Sequence, residues 1–240
     1  MKFRVIIIIY LAFISFFGYS QKKNSYEQNI KMFTADKILI AINFLKWQNL
    51  PSKIALKGIN RGFYFAYFYD QPLGGSRFSL ALGTSLNSNN IFSNSIPKFL
   101  VDSSSNSNYT DFVGLDKLFN KPYSYVNNKM AFTYISIPFE VRLRPGKNEQ
   151  WRIAAGFDAG FLLSSYVKYN GDNVFQNKNE YIKFKFFGIP NTLKFRSGVS
   201  FRMGYDRFTL RFYYPLTTVF QKDKGPQIFP IEIGLSLMVF

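Results

Sequence analysis

An all-β fold, a transmembrane antiparallel up-and-down β-barrel of about eight strands, is what this sequence predicts, and three observations carry the prediction. Apolar side chains recur at every second position, over runs longer than the usual soluble strand of about 5–6 residues. The connections between these runs alternate in length, short then long. The composition is 20% aromatic, with Phe 29 and Tyr 16, yet only 18% charged. Mean hydropathy is nonetheless near neutral, because each lipid-facing residue is followed by one that faces a polar or crowded interior.

The clearest element is a hairpin over residues 132–166. Ala131, Thr133, Ile135, Ile137, Phe139, Val141 and Leu143 share one face, while Ser136, Glu140, Arg142 and Arg144 fall on the other. After Pro145-Gly146-Lys147-Asn148-Glu149-Gln150, the residues Trp151, Ile153, Ala155, Phe157, Ala159, Phe161 and Leu163 face one way. Arg152, Asp158 and Ser164 face the other. A period of two is the strand period, and Pro-Gly-Lys-Asn is turn chemistry.

Taken in order, residues 1–20 read as a cleaved secretory signal. Lys2 and Arg4 precede an apolar core over 5–17, and Gly18 and Ser20 supply the small residues at −3 and −1. Residues 21–36 form a polar periplasmic lead-in, and 37–240 the barrel. In 37–46, Ile38, Ile40, Ile42 and Phe44 alternate with partners that are themselves partly apolar, which leaves strand and helix both open. Residues 59–69 are aromatic on both faces, so pattern alone does not separate inside from outside. A turn is expected from Asp70 to Ser76. In the next run Phe78, Leu80, Leu82 and Leu86 point outward, against Arg77 and the small residues Ser79, Ala81, Gly83 and Ser85, as a narrow barrel interior requires.

Residues 87–129 read as a long irregular stretch, with short local structure or a lid at 96–101 and 112–119. Residues 168–190 read as a second long loop, part of which extends the strands beyond the membrane. Leu193, Phe195, Val199, Phe201 and Met203 then alternate with Lys194, Arg196, Gly198, Ser200 and Arg202. Gly204-Tyr205-Asp206 is a tight turn. Phe208, Leu210, Phe212 and Tyr214 alternate with Arg207, Thr209, Arg211 and Tyr213. The last run sets Phe229, Ile231, Ile233, Leu235, Leu237 and Val239 against Glu232, Gly234 and Ser236. Counting back from a periplasmic C-terminal strand puts every long connection outside and every short one inside, as in bacterial outer-membrane barrels. Terminal Phe240, on the opposite parity from Val239, resembles the assembly signal read by the barrel assembly machinery.

The inward charges are Arg142, Arg144, Arg152, Lys194, Arg196, Arg202, Arg207 and Arg211, against Glu140, Asp158 and Glu232. An eight-stranded barrel has room only for its own side chains, so these are expected to form a lumen charge network; a narrow anion path is the alternative. Net charge is +16. Beyond the lumen, Lys178, Tyr181, Lys183, Phe184 and Lys185 form a candidate contact for lipopolysaccharide or a partner. Nucleic acid is excluded as a partner, because the cations alternate with membrane-type residues instead of forming a compact basic face.

Cys and His are both absent. That removes disulfides, thiolate sites, histidine-dependent catalysis and most zinc or haem sites. Gly74-Gly75 is a turn, not a phosphate loop, so no cofactor is expected. Glu140 and Asp158 are the one pair of carboxylates placed for acid–base work, and a lumen salt bridge accounts for them far better. The chain reads as no enzyme.

Ile135-Ser136-Ile137-Pro138-Phe139-Glu140-Val141-Arg142-Leu143-Arg144 resembles the isoleucine-proline element and basic strand of the PorT-like outer-membrane β-barrel family. Gly156-Phe157-Asp158-Ala159-Gly160-Phe161-Leu162-Leu163 is similar to its next strand, and Arg202-Met203-Gly204-Tyr205-Asp206-Arg207-Phe208 to its late turn. The resemblance spans about residues 62–240. It implies an eight-stranded barrel in the outer membrane of a Gram-negative bacterium, with envelope or secretion-system proteins as partners and no catalytic residues. The function expected is a non-enzymatic structural or partner-docking barrel. A small channel for apolar or anionic solutes and a surface adhesin working through the long loops are the alternatives.

Overall fold

In an alternating strand, the small or polar half of the residues needs a partner surface away from lipid, and a closed cylinder supplies it without leaving an edge. The computed structural model describes residues 37–239, apart from 53, 75, 103–106, 119–122, 146–149 and 174–179. The expected signal, the lead-in and Phe240 lie outside the described residues. The strands are β1 (Ile38–Gln48), β2 (Arg61–Pro72), β3 (Phe78–Phe92), β4 (Ser95–Asp102), β5 (Ser107–Gly114), β6 (Tyr125–Leu143), β7 (Trp151–Asp172), β8 (Tyr181–Phe187), β9 (Phe195–Tyr205), β10 (Phe208–Pro215) and β11 (Phe229–Val239). Eight of them form the barrel, in the order β6-β3-β2-β1-β11-β10-β9-β7, and β6 pairs with β7 to close it. All pairings are antiparallel, and the first and last strands meet along their whole length, from Ile38 opposite Val239 to Gln48 opposite Phe229. Among the described residues no helix is long and apolar enough to cross a membrane; the strands do so.

Residues 37–46 are therefore strand. Leu39, Ala41, Asn43, Leu45 and Trp47 are buried inside, while Ile42 and Phe44 stand exposed on the wall. Pairing with β1 also resolves the two aromatic faces of β2. Gly62 sits opposite Asn43, Tyr64 opposite Ala41 and Ala66 opposite Leu39, so large inward residues meet small ones. Phe63, Tyr67 and Tyr69 face out. On the wall, Trp151 and Tyr205 make an edge contact at 5.6 Å between ring centroids, beside the β6–β7 and β9–β10 turns. Paired interfacial aromatics of this kind mark the edge of the lipid band.

Both stretches expected to be irregular are largely ordered. β3 runs on to Phe92 and β6 begins at Tyr125, and between them β4 and β5 form a hairpin of their own. β7 continues to Asp172 and pairs there with β8. The sequence pattern missed this because the upper inward face, with Asn87 and Asn89, is polar and reads as loop. A tilted strand needs only about 9–11 residues to cross the hydrocarbon, whereas β6 has 19 and β7 has 22. The surplus stands above the membrane on the loop side.

One local irregularity rephases β7. Thr133 pairs with Ser164 but Tyr134 pairs with Leu162, so Leu163 is an extra residue in the ladder. Past such a bulge the side chains change face: Ser165, Val167 and Tyr169 turn inward and are buried, while Tyr166 and Lys168 turn outward. Ser164, expected inside, thus lies opposite outward-facing Thr133.

Close approach explains one glycine. A Cβ on Gly198 would fall 2.3 Å from the Tyr213 hydroxyl and 2.6 Å from the Tyr214 carbonyl oxygen, so the phenol of Tyr213 occupies the space a side chain would take. Replacing Gly198 by Ala overpacks the lumen. The expected result is a loss of about 1–3 kcal/mol, measured as a lower urea midpoint or melting temperature of the barrel in detergent micelles.

Candidate functional site

The lumen is built from side chains that mix large with small around the ladder. Along one row Arg142, Ala154, Arg202, Arg211 and Gly234 are successive neighbours, and the small residues leave room for the guanidiniums. Near the turn end, Glu140 accepts hydrogen bonds from Arg142 Nε at 2.8 Å and from Arg202 at 2.7 and 3.1 Å. Asp70 accepts from Arg142 Nη1 at 3.1 Å and from Arg144. Arg144 also donates to Ser79 at 2.8 Å, and Arg142 lies 4.4 Å above the Phe68 ring. Asp70 is a correction: it was expected in a turn but stands in β2 with its side chain buried.

Higher in the lumen the hub is Glu232 on β11, fully buried. It accepts from Asn43 at 2.9 Å, from Asn87 at 3.1 Å, from Asn89 at 2.9 Å and from Arg211 at 3.2 Å, and it pairs with Arg196. One carboxylate thereby ties β1, β3, β9 and β10 to β11. Arg196 donates to the Tyr213 hydroxyl at 3.0 Å, and Arg211 lies 4.0 Å above the Tyr64 ring. Asp158 stands beside the Tyr64 hydroxyl at 3.5 Å and is buried.

Above this polar filling lies an apolar cap. Leu45, Trp47, Ile54, Ile91, Phe112, Met130, Phe132, Val167, Ile189, Val219, Phe220 and Ile228 form one buried cluster. The β4–β5 hairpin is pinned into it. Phe112 packs edge-on against Phe220 at 5.7 Å, and Thr110 binds the Pro190 and Lys224 carbonyls. The lumen is thus filled by ion pairs at two levels and roofed by hydrocarbon. Against the turn-end arginines the free space is about 10 Å³, barely the room one water needs.

Of the residues expected in the lumen, Glu140, Arg142, Arg144, Asp158, Arg196, Arg202, Arg211 and Glu232 are buried there. Arg152 is half-buried at the turn end, beside Arg142 and Arg202. Lys194 and Arg207 are exposed instead. Lys194 precedes β9, where the chain has not yet joined the ladder, and Arg207 belongs to the turn between β9 and β10, so strand parity does not govern either. Among the five candidate contact residues, Tyr181, Lys183 and Lys185 are exposed on β8. Phe184 faces the other way and stacks on Tyr169 at 5.4 Å. Lys178 lies outside the described residues.

A second feature was invisible in the sequence, because it joins a loop to the start of β6. An open cleft of about 750 Å³ is lined by Lys57, Ile59, Arg61, Phe92, Tyr123 and Tyr125, among others. Lys57 Nζ sits 4.6 Å from the Tyr125 ring centroid, and Tyr123 stacks on Tyr125 at 6.0 Å. Tyr125 holds Lys57 above its ordinary lysine value, and this wall of the cleft is cationic at neutral pH. Among the described residues no cluster of acidic side chains could hold a metal ion.

A filled, closed cylinder with charged contents and an aromatic-edged apolar wall is the frame against which known proteins compare. Residues 16–221 match the family described as outer membrane protein beta-barrel domain. The chain belongs to this family, and the outer membrane is its location. No curated protein matches it. Among solved structures it is similar to Ail, the attachment invasion locus protein of Yersinia pestis, in a complex with the heparin analogue sucrose octasulfate. The two are 13% identical, with 85% of this chain and 97% of that chain covered and a TM-score of 0.38.

Removing one partner of a buried pair costs more than the pair is worth, because a charge is left uncompensated. Glu232→Ala strands Arg196 and Arg211 together. The expected loss is about 3–5 kcal/mol, read from urea unfolding in lipid vesicles, while Lys222→Ala on an exposed loop leaves the midpoint within experimental error.

Proposed function

We propose that this barrel is a non-conducting, non-enzymatic docking platform that works through its loop side, in the manner of a PorT-like envelope protein. The observation that carries the reading is on β4. Phe99, Leu100 and Val101 are consecutive, apolar and exposed, and Tyr109 on β5 is exposed opposite Leu100. The root of this hairpin is locked into the cap, so its exposed strip is presented on a rigid base. Apolar residues held out in this way are what a protein partner buries. The filled lumen argues against solute passage. Buried Glu140 and Glu232 are saturated by arginine and asparagine donors, which leaves them no role in proton transfer.

Adhesion to an external surface is the second reading, favoured by the same strip. The two separate in one experiment. A photo-crosslinker placed at Val101, with the protein at native level, is expected to capture another protein of the same envelope; a strip that reacts only with added host surfaces or matrix favours adhesion. Conductance tests the rest of the proposal. In planar bilayers the purified barrel is expected to give no reproducible current steps, and regular steps from the unmodified protein would sink the non-conducting reading.

A further inference from the structure

On the outer face of the barrel, cations stand in register across adjacent strands. Lys129 on β6 is directly opposite Lys168 on β7, and Lys168 is directly opposite Lys185 on β8. Lys183 follows one outward position higher, opposite Asn170. Toward β3 and β2 the row continues through Asn90, which accepts from Lys129 Nζ at 2.7 Å and lies opposite Arg61. Among the described residues no ion pair reaches Arg61, Lys129, Lys168 or Lys185, whereas Asp70, Glu140 and Glu232 hold arginines in the lumen. Like charges directly opposite each other in a ladder are destabilising. A fold that keeps three lysines abreast carries a cost that an anion would remove.

The height of the row says where that anion comes from. On β6 the outward positions run from Val141 up to Thr133, Ala131 above them is covered, and Lys129 is the next outward position, so the stretch below it spans about the 9–11 positions that cross the hydrocarbon. On β2 the outward residues Tyr69, Tyr67, Phe65 and Phe63 lead to Arg61 in the same way. The cations therefore begin where the lipid-facing wall stops. Tyr166, an interfacial aromatic, lies between two of them, with its ring centroid 4.0 Å from Lys185 Nζ and 5.8 Å from Lys129 Nζ. Phe187 packs against Tyr166 at 5.7 Å and is exposed below Lys185. Acyl chain below, aromatic ring at the boundary and ammonium groups above is the arrangement that suits an amphiphile with a phosphorylated headgroup.

We infer that the Arg61–Lys129–Lys168–Lys185 row binds the phosphates of a lipid in the surrounding outer leaflet. The inference is independent of the docking strip on β4, which lies on a different element. It also shifts the sequence-level contact site: Lys183 and Lys185 remain, Arg61, Lys129 and Lys168 join them, and Phe184 leaves.

The test uses the purified full chain in a neutral maltoside detergent, compared with a Lys129→Gln, Lys168→Gln, Lys185→Gln variant. Without lipid, the variant is expected to melt at or above the temperature of the unmodified protein, because the repulsion is gone. With bis-phosphorylated lipid A added, the unmodified protein is expected to bind roughly a hundredfold more tightly than the variant, at about tenfold per 1.4 kcal/mol and near 1 kcal/mol per cation. That affinity is expected to fall as sodium chloride is raised. A dephosphorylated glycolipid with the same acyl chains should bind the two proteins equally. Three results would overturn the inference. One is a variant that melts lower in lipid-free detergent, which makes the lysines structural. Another is lipid A affinity that survives the substitutions. The last is inorganic phosphate stabilising the unmodified protein as strongly as lipid A does, which assigns the row to a soluble anion.

Discussion

The buried carboxylate is the constraint on which this structure turns. A cylinder of eight strands has too little interior for a hydrocarbon core of ordinary thickness and too much for a void, so long polar side chains fill it. Once arginines supply the volume, their charge has to be met inside, since an unpaired guanidinium there costs several kcal/mol. Glu232 and Glu140 meet it. Each is held by donors from several strands, so the pairing that neutralises the filling also sets strand against strand. Arginine suits the task better than lysine because its fork reaches two acceptors at once, and Arg142 does so with Glu140 and Asp70.

From this filling follows the division of labour between the two ends and the wall. The interior is committed to holding the cylinder together, and a buried apolar cluster lies above it. On the proposed reading, recognition is left to surfaces: the exposed strip on β4, the cationic cleft by Lys57, and the row of cations above the lipid band. The first stands on a hairpin outside the ladder, and the second joins a loop to the upper ends of β2, β3 and β6. The third is built into strands β2, β6, β7 and β8 and is part of the wall itself.

Most of the wall was legible in the sequence, because lipid imposes a strict period of two. Ile135, Ile137, Phe139 and Val141, and Phe208, Leu210 and Phe212, all face out as the alternation requires. The interior was legible where a charge sat within such a run, as with Glu140, Arg196 and Glu232. It failed at the margins. Asp70 precedes Gln-Pro-Leu-Gly and so carried a turn signal, yet the strand runs two residues further. Lys194 and Arg207 fit the alternation in sequence but lie just outside the strands, so it does not set where they point. Above the membrane the rule itself lapses. There both faces meet water or protein, so Asn87, Asn89 and Asn128 read as loop although they are strand. The bulge at Leu163 left no mark beyond a leucine following a leucine.

The apolar roof bears on closure of the cylinder as well as on its contents. Its members come from β1, β3, β5, β6 and β7, and from the stretches that hold Ile54, Ile189, Phe220 and Ile228. Leu45 lies on β1 and Ile228 directly precedes β11, the two strands that meet at the seam. The roof therefore has members on both sides of that seam, and its full set of contacts exists only in the closed ring, which makes the complete roof a mark of closure.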